Sequence, residues 1–484
     1  MFLTTPKTLN IFSISLFALS LASLTIFVAF NIVITSMPGY DSQWFFPVAY
    51  WHLFSNDLIH PVATPMSNGP GEYNYHGWLW PMLISKLSPT VTYTNVLLTS
   101  NILVITAFIS FFLNSIRFSS FQIFALFSPI FTVLLSYQVN RPELLITNLL
   151  LIYFLISSIK NFKNIQSILE GLLWGLMFLT SPVTAVLISL LFVLDNFRLK
   201  ESARHFVLKT LAQSLIAILV VIVATEIFTK FGISGWFAGL RDHASIINEN
   251  KPDFSSFFTY YVVNHSFPAP FLVLCILLIL NTSNIIQAKL HTLDKTFLWA
   301  GFGIILIFLL SQLMVIARVY VIISLLPLMW GSFVQIRNSL GRNSTKSFIY
   351  FCFGFLLLAS MAILTRETLM RVDGIGRGVK PKVLISKLEE IRKKTPSQLK
   401  VYSNNSHVMM LLHSHYQSLN SLTLNSDEAD LLILTQAHSG LRSPPDLVKY
   451  ELIINNFHSS PPQFLNVPLG GTQKDWAFAF YIKK

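Results

Sequence analysis

One carboxylate, Asp41, stands in an unusually aromatic stretch, "MPGYDSQWFFPVAYWHLF", running from Met37 to Phe54. Tyr40, Trp44, Phe45, Phe46, Tyr50, Trp51 and Phe54 flank it in sequence. A carboxylate walled off from water by aromatic rings accepts a proton from a hydroxyl with a strength that its surroundings set. The same rings also suit an interfacial belt at a membrane edge. Spacing alone leaves both readings open. Cationic groups recur in comparable places. "VNRPELL" puts Arg141 and Glu143 in one tight turn, and "ARVYVIISLLPLMWG" puts Arg318 in another, with Tyr320 two residues on. An arginine at a membrane boundary snorkels to the interface or grips a phosphate with both arms of its guanidinium. "GWFAGLRDHASIINENKPDF" offers Arg241, Asp242 and His243. It reads as a solvated amphipathic helix, or as one that closes over an acceptor and adds a second phosphate contact.

The elements that must carry these groups are membrane helices. The chain has 484 residues, of which 53% are hydrophobic and only 12% charged, with a mean hydropathy of +0.59. A soluble domain carries about a quarter charged residues. Apolar runs long enough to cross the hydrocarbon layer, about 17–25 residues each, account for the deficit. They predict a polytopic α-helical membrane protein of about eleven transmembrane helices, at 10–36, 92–114, 120–137, 144–159, 166–179, 182–195, 210–228, 269–287, 296–314, 319–335 and 347–365. The first apolar stretch is longer than the core of a cleaved signal, and no small-residue cleavage site follows it, so it reads as an uncleaved anchor.

Lysine and arginine in the short loops set the orientation. With the N-terminus inside, the inner loops hold thirteen basic residues, among them Arg117, Lys160, Arg204 and Arg337, against six in the outer ones. The expectation is a cytoplasmic N-terminus, outer loops at about 36–91 and 229–268, and residues 366–484 outside. A module over 1–365 then carries an extracytoplasmic domain over 366–484. Much of the net charge of +12 lies in that tail. Nothing resembles the basic, aromatic-interleaved stripe of a nucleic-acid binder. Neither GxxxxGK[ST] nor a GxGxxG after a strand is present, which argues against an ATP-driven role. Cys275 and Cys352 fall inside predicted spans and read as packing residues, with no disulfide framework.

The tail reads as a small α/β domain. "KPKVLISKLEEIRKKTPSQ" is an amphipathic helix, "LKVYSNN", "ADLLILTQ" and "DWAFAFYIKK" are strands, and "HVMMLLHSHYQS" is a helix. His407, His413 and His415 lie close together there. His-x-His is a weak metal signal, and the plainer reading is a polar helix face.

In layout the whole chain resembles the GT-C superfamily of membrane glycosyltransferases, of the protein-mannosyltransferase and aminoarabinose-transferase type. The resemblance is carried by Asp41 at the end of a first span, the long outer loop "DSQWFFPVAYWHLFSNDLIHP", the return stretch "YNYHGWLWPMLISKL" over Tyr75–Pro81, Arg141-Pro142-Glu143, Arg318-Val319-Tyr320 and the outer tail. It implies a hexosyl- or pentosyltransferase that takes a sugar from a polyprenyl-phosphate carrier at the extracytoplasmic face and passes it, with inversion, to a lipid, glycan or protein acceptor. It places Asp41 as general base and Arg318 as the best match to the phosphate clamp. Tyr75, His76, Arg141, Glu143, Arg241 and Tyr320 are the further substrate-binding candidates. The sequence departs from the pattern where Ser42 follows Asp41 in place of a second acid, and where Tyr75-His76-Gly77 replaces a Lys-Pro-Pro or Tyr-Pro-Pro, leaving His76 the nearest substitute for a phosphate contact. No clear DxD is present, so no obligatory metal or other cofactor is expected. The expected location is a bacterial inner membrane.

Two other classes fit the layout less well. A surface-polysaccharide polymerase or ligase uses diphosphate-linked donors and lacks this outer tail. A lipid-linked sugar transporter or flippase buries ionisable groups near the midplane or shows repeated, broken helices. Charge within the predicted spans is rare here, Glu226 being the main candidate, and no repeat is evident.

Overall fold

The computed structural model describes residues 44–64, 67–68, 70–88, 90–117, 141–157, 163–198, 203–249, 381–395, 399–416, 422–435, 445–457 and 477–484, with short pieces of 14–28, 128–135 and 463–468. It is mostly helical, with a small sheet region towards the C-terminus. The expected spans at 269–287, 296–314, 319–335 and 347–365 lie outside the described residues, as do Asp41, Arg318 and Tyr320.

The chain divides into two compact units, one over Met1–Thr25, Leu103–Thr225 and Ile247–Thr365, the other over Ile26–Ile102, Glu226–Ile246 and Arg366–Lys484. Helix α3 (Tyr93–Arg117) starts in the second unit and α7 (Ala203–Phe228) ends in it. These two helices are long and apolar enough to cross a membrane, over Tyr93–Leu113 and Arg204–Phe228. They fall on the spans expected at 92–114 and 210–228. The spans expected at 144–159, 166–179 and 182–195 fall on apolar helices shorter than that test requires. These are α4 (Glu143–Ser157), α5 (Lys163–Thr180) and α6 (Pro182–Arg198). Proline at the first position of α6 breaks it from α5 at Ser181, between the spans expected at 166–179 and 182–195.

The first unit shows how such helices lock together. Gly171 and Gly175, spaced Gly-x-x-x-Gly on α5, let α7 approach closely. A Cβ on Gly171 would lie 2.9 Å from the Gln213 carbonyl oxygen, and one on Gly175 would lie 2.8 Å from the Val220 Cβ. A buried polar knot stands next to this crossing. Glu170 accepts from Gln166 Nε2 at 2.7 Å and Gln213 Nε2 at 2.5 Å, and faces Lys209 Nζ at 3.4 Å. Asn196 on α6 donates to Gln213 at 2.5 Å, so three helices share the knot. Among the described residues, Glu170 is an acid buried inside a predicted span. Glu226 instead accepts from the Ile233 backbone N–H at 2.9 Å and caps the next helix, α8 (Gly232–Glu249).

In the second unit, α1 (Phe46–Ser55) buries Phe46, Val48, Ala49, Tyr50 and Trp51 and ends in a left-handed turn at Asn56. Two short ribbons follow, of which β1 (Ile59–His60) pairs antiparallel with β4 (Gly71–Glu72) and β2 (Ala63–Thr64) with β3 (Ser67–Asn68). Then comes α2 (Leu79–Leu87). The tail holds α9 (Pro381–Lys394), β5 (Val401–Ser403), α10 (Ser406–Tyr416), β6 (Leu431–Thr435), β7 (Tyr450–Phe457) and β8 (Phe478–Lys483). The sheet order is β5-β6-β8-β7. The β5–α10–β6 crossover makes the first pair parallel, and the rest is antiparallel. β6 is buried throughout, as a strand covered on both faces must be. Leu384, Leu388 and Ile391 form the buried stripe of α9. Asn405 caps α10, its side chain accepting from His407 N at 3.0 Å. The predicted tail elements are thus observed, with β7 an unpredicted addition.

Candidate functional site

The return stretch "YNYHGW", Tyr73 to Trp78, is held from two sides within the second unit. Tyr73 N–H donates to the Leu58 carbonyl at 2.9 Å. From the other side α8 docks onto it. Trp236 Nε1 donates to the His76 carbonyl at 2.7 Å, and Asn74 Nδ2 donates to the Gly235 carbonyl at 3.2 Å. Gly239, one turn further on, permits the approach, since a Cβ there would stand 2.5 Å from the Asn74 carbonyl oxygen. Trp236, Tyr73, Tyr75 and Trp78 are all buried.

This docking brings His243 to the loop. Its ring meets His76 edge-on at 4.5 Å between centroids and lies 5.8 Å from Tyr75. Tyr75 in turn lies 5.1 Å from His76, 5.0 Å from Tyr73 and 6.1 Å from Trp44, and Trp44 lies 5.1 Å from His60. The result is an aromatic cluster with three histidines in it. Burial pushes the His243 pKa down to about 4, so its imidazole is neutral at ordinary pH and keeps one lone pair to accept with. Burial raises the Tyr75 phenol, which stays protonated as a donor. The Tyr75 hydroxyl and His243 Nδ1 are both buried and have no hydrogen-bond partner among the described residues.

No family model matches the chain, and no curated protein matches it.

The sequence-predicted residues divide accordingly. Tyr75 and His76 belong to the cluster. Arg241 shares α8 with His243, but its side chain is 80% exposed and faces Asp242 at 3.4 Å. Arg141 and Glu143 meet each other at 3.0 Å in the first unit, with Glu143 buried in the first turn of α4, where the helix dipole favours an acid. Asp41 stands three residues before Trp44, the first described residue of the cluster.

Of the tail histidines only His415 lies on a polar helix face, and His407 and His413 are buried. His407 is buried with its ring 6.5 Å from Phe46. His413 is enclosed by Tyr50, Trp51 and Phe54, and its Nδ1 lies 2.5 Å from the Tyr50 hydroxyl. His415 is exposed and faces Glu389 at 3.3 Å. Among the described residues no three His, Cys, Asp or Glu side chains are grouped to hold a metal ion. Ser414 Oγ also accepts from the Tyr93 backbone N–H at 3.1 Å, tying α10 to the first residue of α3.

Trp236, His60, the meeting of His243 with His76 and the α1–α10 contact are missed by sequence reasoning, although His243 itself stands in the stretch that the sequence singles out. One signal was available for α8. Gly235 and Gly239 in "GWFAG" have the small-xxx-small spacing of closely packed helices.

Proposed function

We propose that the protein is an integral-membrane glycosyltransferase that moves a sugar from a polyprenyl-phosphate carrier to an acceptor at the extracytoplasmic face. The observation that carries this reading is the composition of the second unit. The loop after the first apolar segment, the helix after α7 and the tail, three stretches expected on the outer face, share one compact body. That body contains the start of α3 and the end of α7. It holds a cluster of aromatic rings with the imidazoles of His60, His76 and the neutral His243, its first described ring, Trp44, three residues after Asp41 in the sequence. Such a composition suits a lipid-linked sugar, which needs an apolar approach and hydroxyl-binding groups beyond it.

In this reading the chain crosses the membrane eleven times with its N-terminus inside. Asp41 takes the proton of the acceptor hydroxyl as that oxygen attacks the anomeric carbon. Arg318 holds the departing carrier phosphate, whose charge grows in the transition state. One direct displacement inverts the anomeric centre.

The test is turnover by purified full-length protein on a panel of polyprenyl-phosphate sugars, with cell extract as acceptor source and carrier release read by mass spectrometry. Release by the wild type and its loss in folded Asp41→Asn is the expected result. Consumption of a diphosphate-linked oligosaccharide instead would move the protein to the polymerase or ligase class.

A further inference from the structure

We infer that the Tyr75–His76–His243 cluster binds a neutral, hydroxyl-bearing ring, the sugar of the donor, and not the carrier phosphate. The inference rests on the function proposed above and reverses one part of what the resemblance implies, since His76 stands where that pattern would set a phosphate contact.

Three observations carry it. First, two buried polar atoms on neighbouring rings lack hydrogen-bond partners among the described residues. They are the Tyr75 hydroxyl, a donor, and His243 Nδ1. Buried polar groups in folded proteins are paired almost without exception, and an unpaired one calls for an explanation such as a ligand. A sugar hydroxyl both donates and accepts, so a single ring can satisfy a phenol and an imidazole together. An oxygen of the carrier phosphodiester can only accept, so it serves the phenol but pairs with His243 Nδ1 only in the tautomer that puts the ring proton there, whereas a sugar hydroxyl serves either tautomer.

Second, the two orphaned atoms stand among flat aromatic rings. Tyr73, Tyr75, Trp44 and the two imidazoles offer ring faces and edges within about 6 Å of one another. Such surfaces pack against the C–H faces of a pyranose or furanose.

Third, the cation that α8 does carry is directed elsewhere. Arg241, two residues before His243, has an exposed side chain beside Asp242. Burial holds His243 neutral, so it adds no positive charge for a phosphate. α8 therefore contributes an imidazole to the cluster and an arginine to its exposed side.

The experiment uses the full-length protein in lipid nanodiscs and two substitutions that keep a ring while removing the polar atom, Tyr75→Phe and His243→Phe. Two constants are measured for each: KM for the polyprenyl-phosphate sugar, and the inhibition constant of the same carrier without its sugar. A lost hydrogen bond to the sugar raises KM roughly 5- to 30-fold and leaves inhibition by the bare carrier unchanged. A parallel rise in both constants would overturn the inference, because the cluster would then hold phosphate. No change in either would also overturn it, because the rings would then be only a packed core.

If the wild type consumes no such donor, the proposed function fails by itself. The cluster is then tested directly by quenching of tryptophan fluorescence with a panel of monosaccharides and their methyl glycosides. Quenching that Tyr75→Phe and His243→Phe abolish sustains a sugar site of another purpose. Absence of quenching across the panel overturns it.

Discussion

Replacing Gly239 with alanine tests whether the approach of α8 to the loop is what assembles the cluster. The added methyl would lie 2.5 Å from both the Asn74 carbonyl oxygen and its side-chain oxygen. Ordinary Cβ contacts begin near 3.4 Å, so about 0.9 Å of movement is needed (3.4 − 2.5). The loop cannot yield it cheaply, because Tyr73, the residue before, is hydrogen-bonded to Leu58. Helix α8 must therefore lift. Overpacking of this kind costs about 1–3 kcal/mol, and stretching the Trp236–His76 and Asn74–Gly235 hydrogen bonds adds about 1 kcal/mol for each that is lost. Against this, alanine is favoured over glycine within a helix by about 1 kcal/mol. The net destabilisation expected is about 1–3 kcal/mol, confined to the contact. Hydrogen exchange read by mass spectrometry reports it locally. Amides of 233–246 and 73–78 should exchange roughly 5- to 100-fold faster than in the wild type. Unchanged or slower exchange would refute the reasoning, since helix propensity would then outweigh the collision. Asn74→Ala in the same background removes the side-chain oxygen and leaves the carbonyl, so recovery should be partial. Full recovery would show that the side chain alone set the spacing.

Acid should loosen the contact between α1 and α10. Burial, with the charge of nearby His60, lowers the His407 pKa to about 3, and burial lowers that of His413, which faces Tyr50, Trp51 and Phe54. An imidazole with a depressed pKa contributes stability that is fully present above about pH 6.5 and is lost as pH falls towards the folded value. The intrinsic-fluorescence acid midpoint should shift to lower pH in His407→Gln, and an unmoved midpoint would exclude His407 as the titrating group. Glu170→Leu alone leaves Lys209 buried without its carboxylate and should cost about 3–5 kcal/mol, whereas the double variant with Lys209→Leu should recover most of that. Thermal unfolding in detergent compares the two, and a double variant no better than the single would show that the pair is not the determinant. Arg241→Ala should change stability by no more than about 0.5 kcal/mol. A fall in turnover on that stable background assigns Arg241 a phosphate contact, and unchanged turnover removes it from the site.

What was legible in the sequence was whatever a local period or a chain break encodes. α9, α10, β5, β6 and β8 follow from runs of apolar residues, and the break at Ser181 follows from Pro182. Long apolar runs gave the positions of α3 and α7, because hydrophobic length is a property of the segment itself. Tyr75 and His76 were singled out for their types, and they stand in the cluster. Contacts between distant segments were not legible. His243 meets His76 and His413 meets Tyr50 across long stretches of chain, and no local period encodes such a meeting. His407 and His413 were misjudged for the same reason. Composition suggested a solvated face, which His415 does occupy, while the burial of the other two comes from the aromatic side of α1. Glu170 was overlooked because an acid inside an apolar run looks like an interruption until its partners on α7, Gln213 and Lys209, are seen.

The hydrogen bond between Tyr50 and His413 joins residues 363 positions apart. A ribosome adds about 5–20 residues per second, so α1 is made about 20–70 s before the helix that covers it. Phe46, Tyr50 and Trp51 spend that interval without their final neighbour. The tail's own sheet closes later still, because β8 lies between β6 and β7 and is the last of the three to be synthesised. Assembly of this body is therefore ordered in time: α1 is made first, and the tail covers it afterwards.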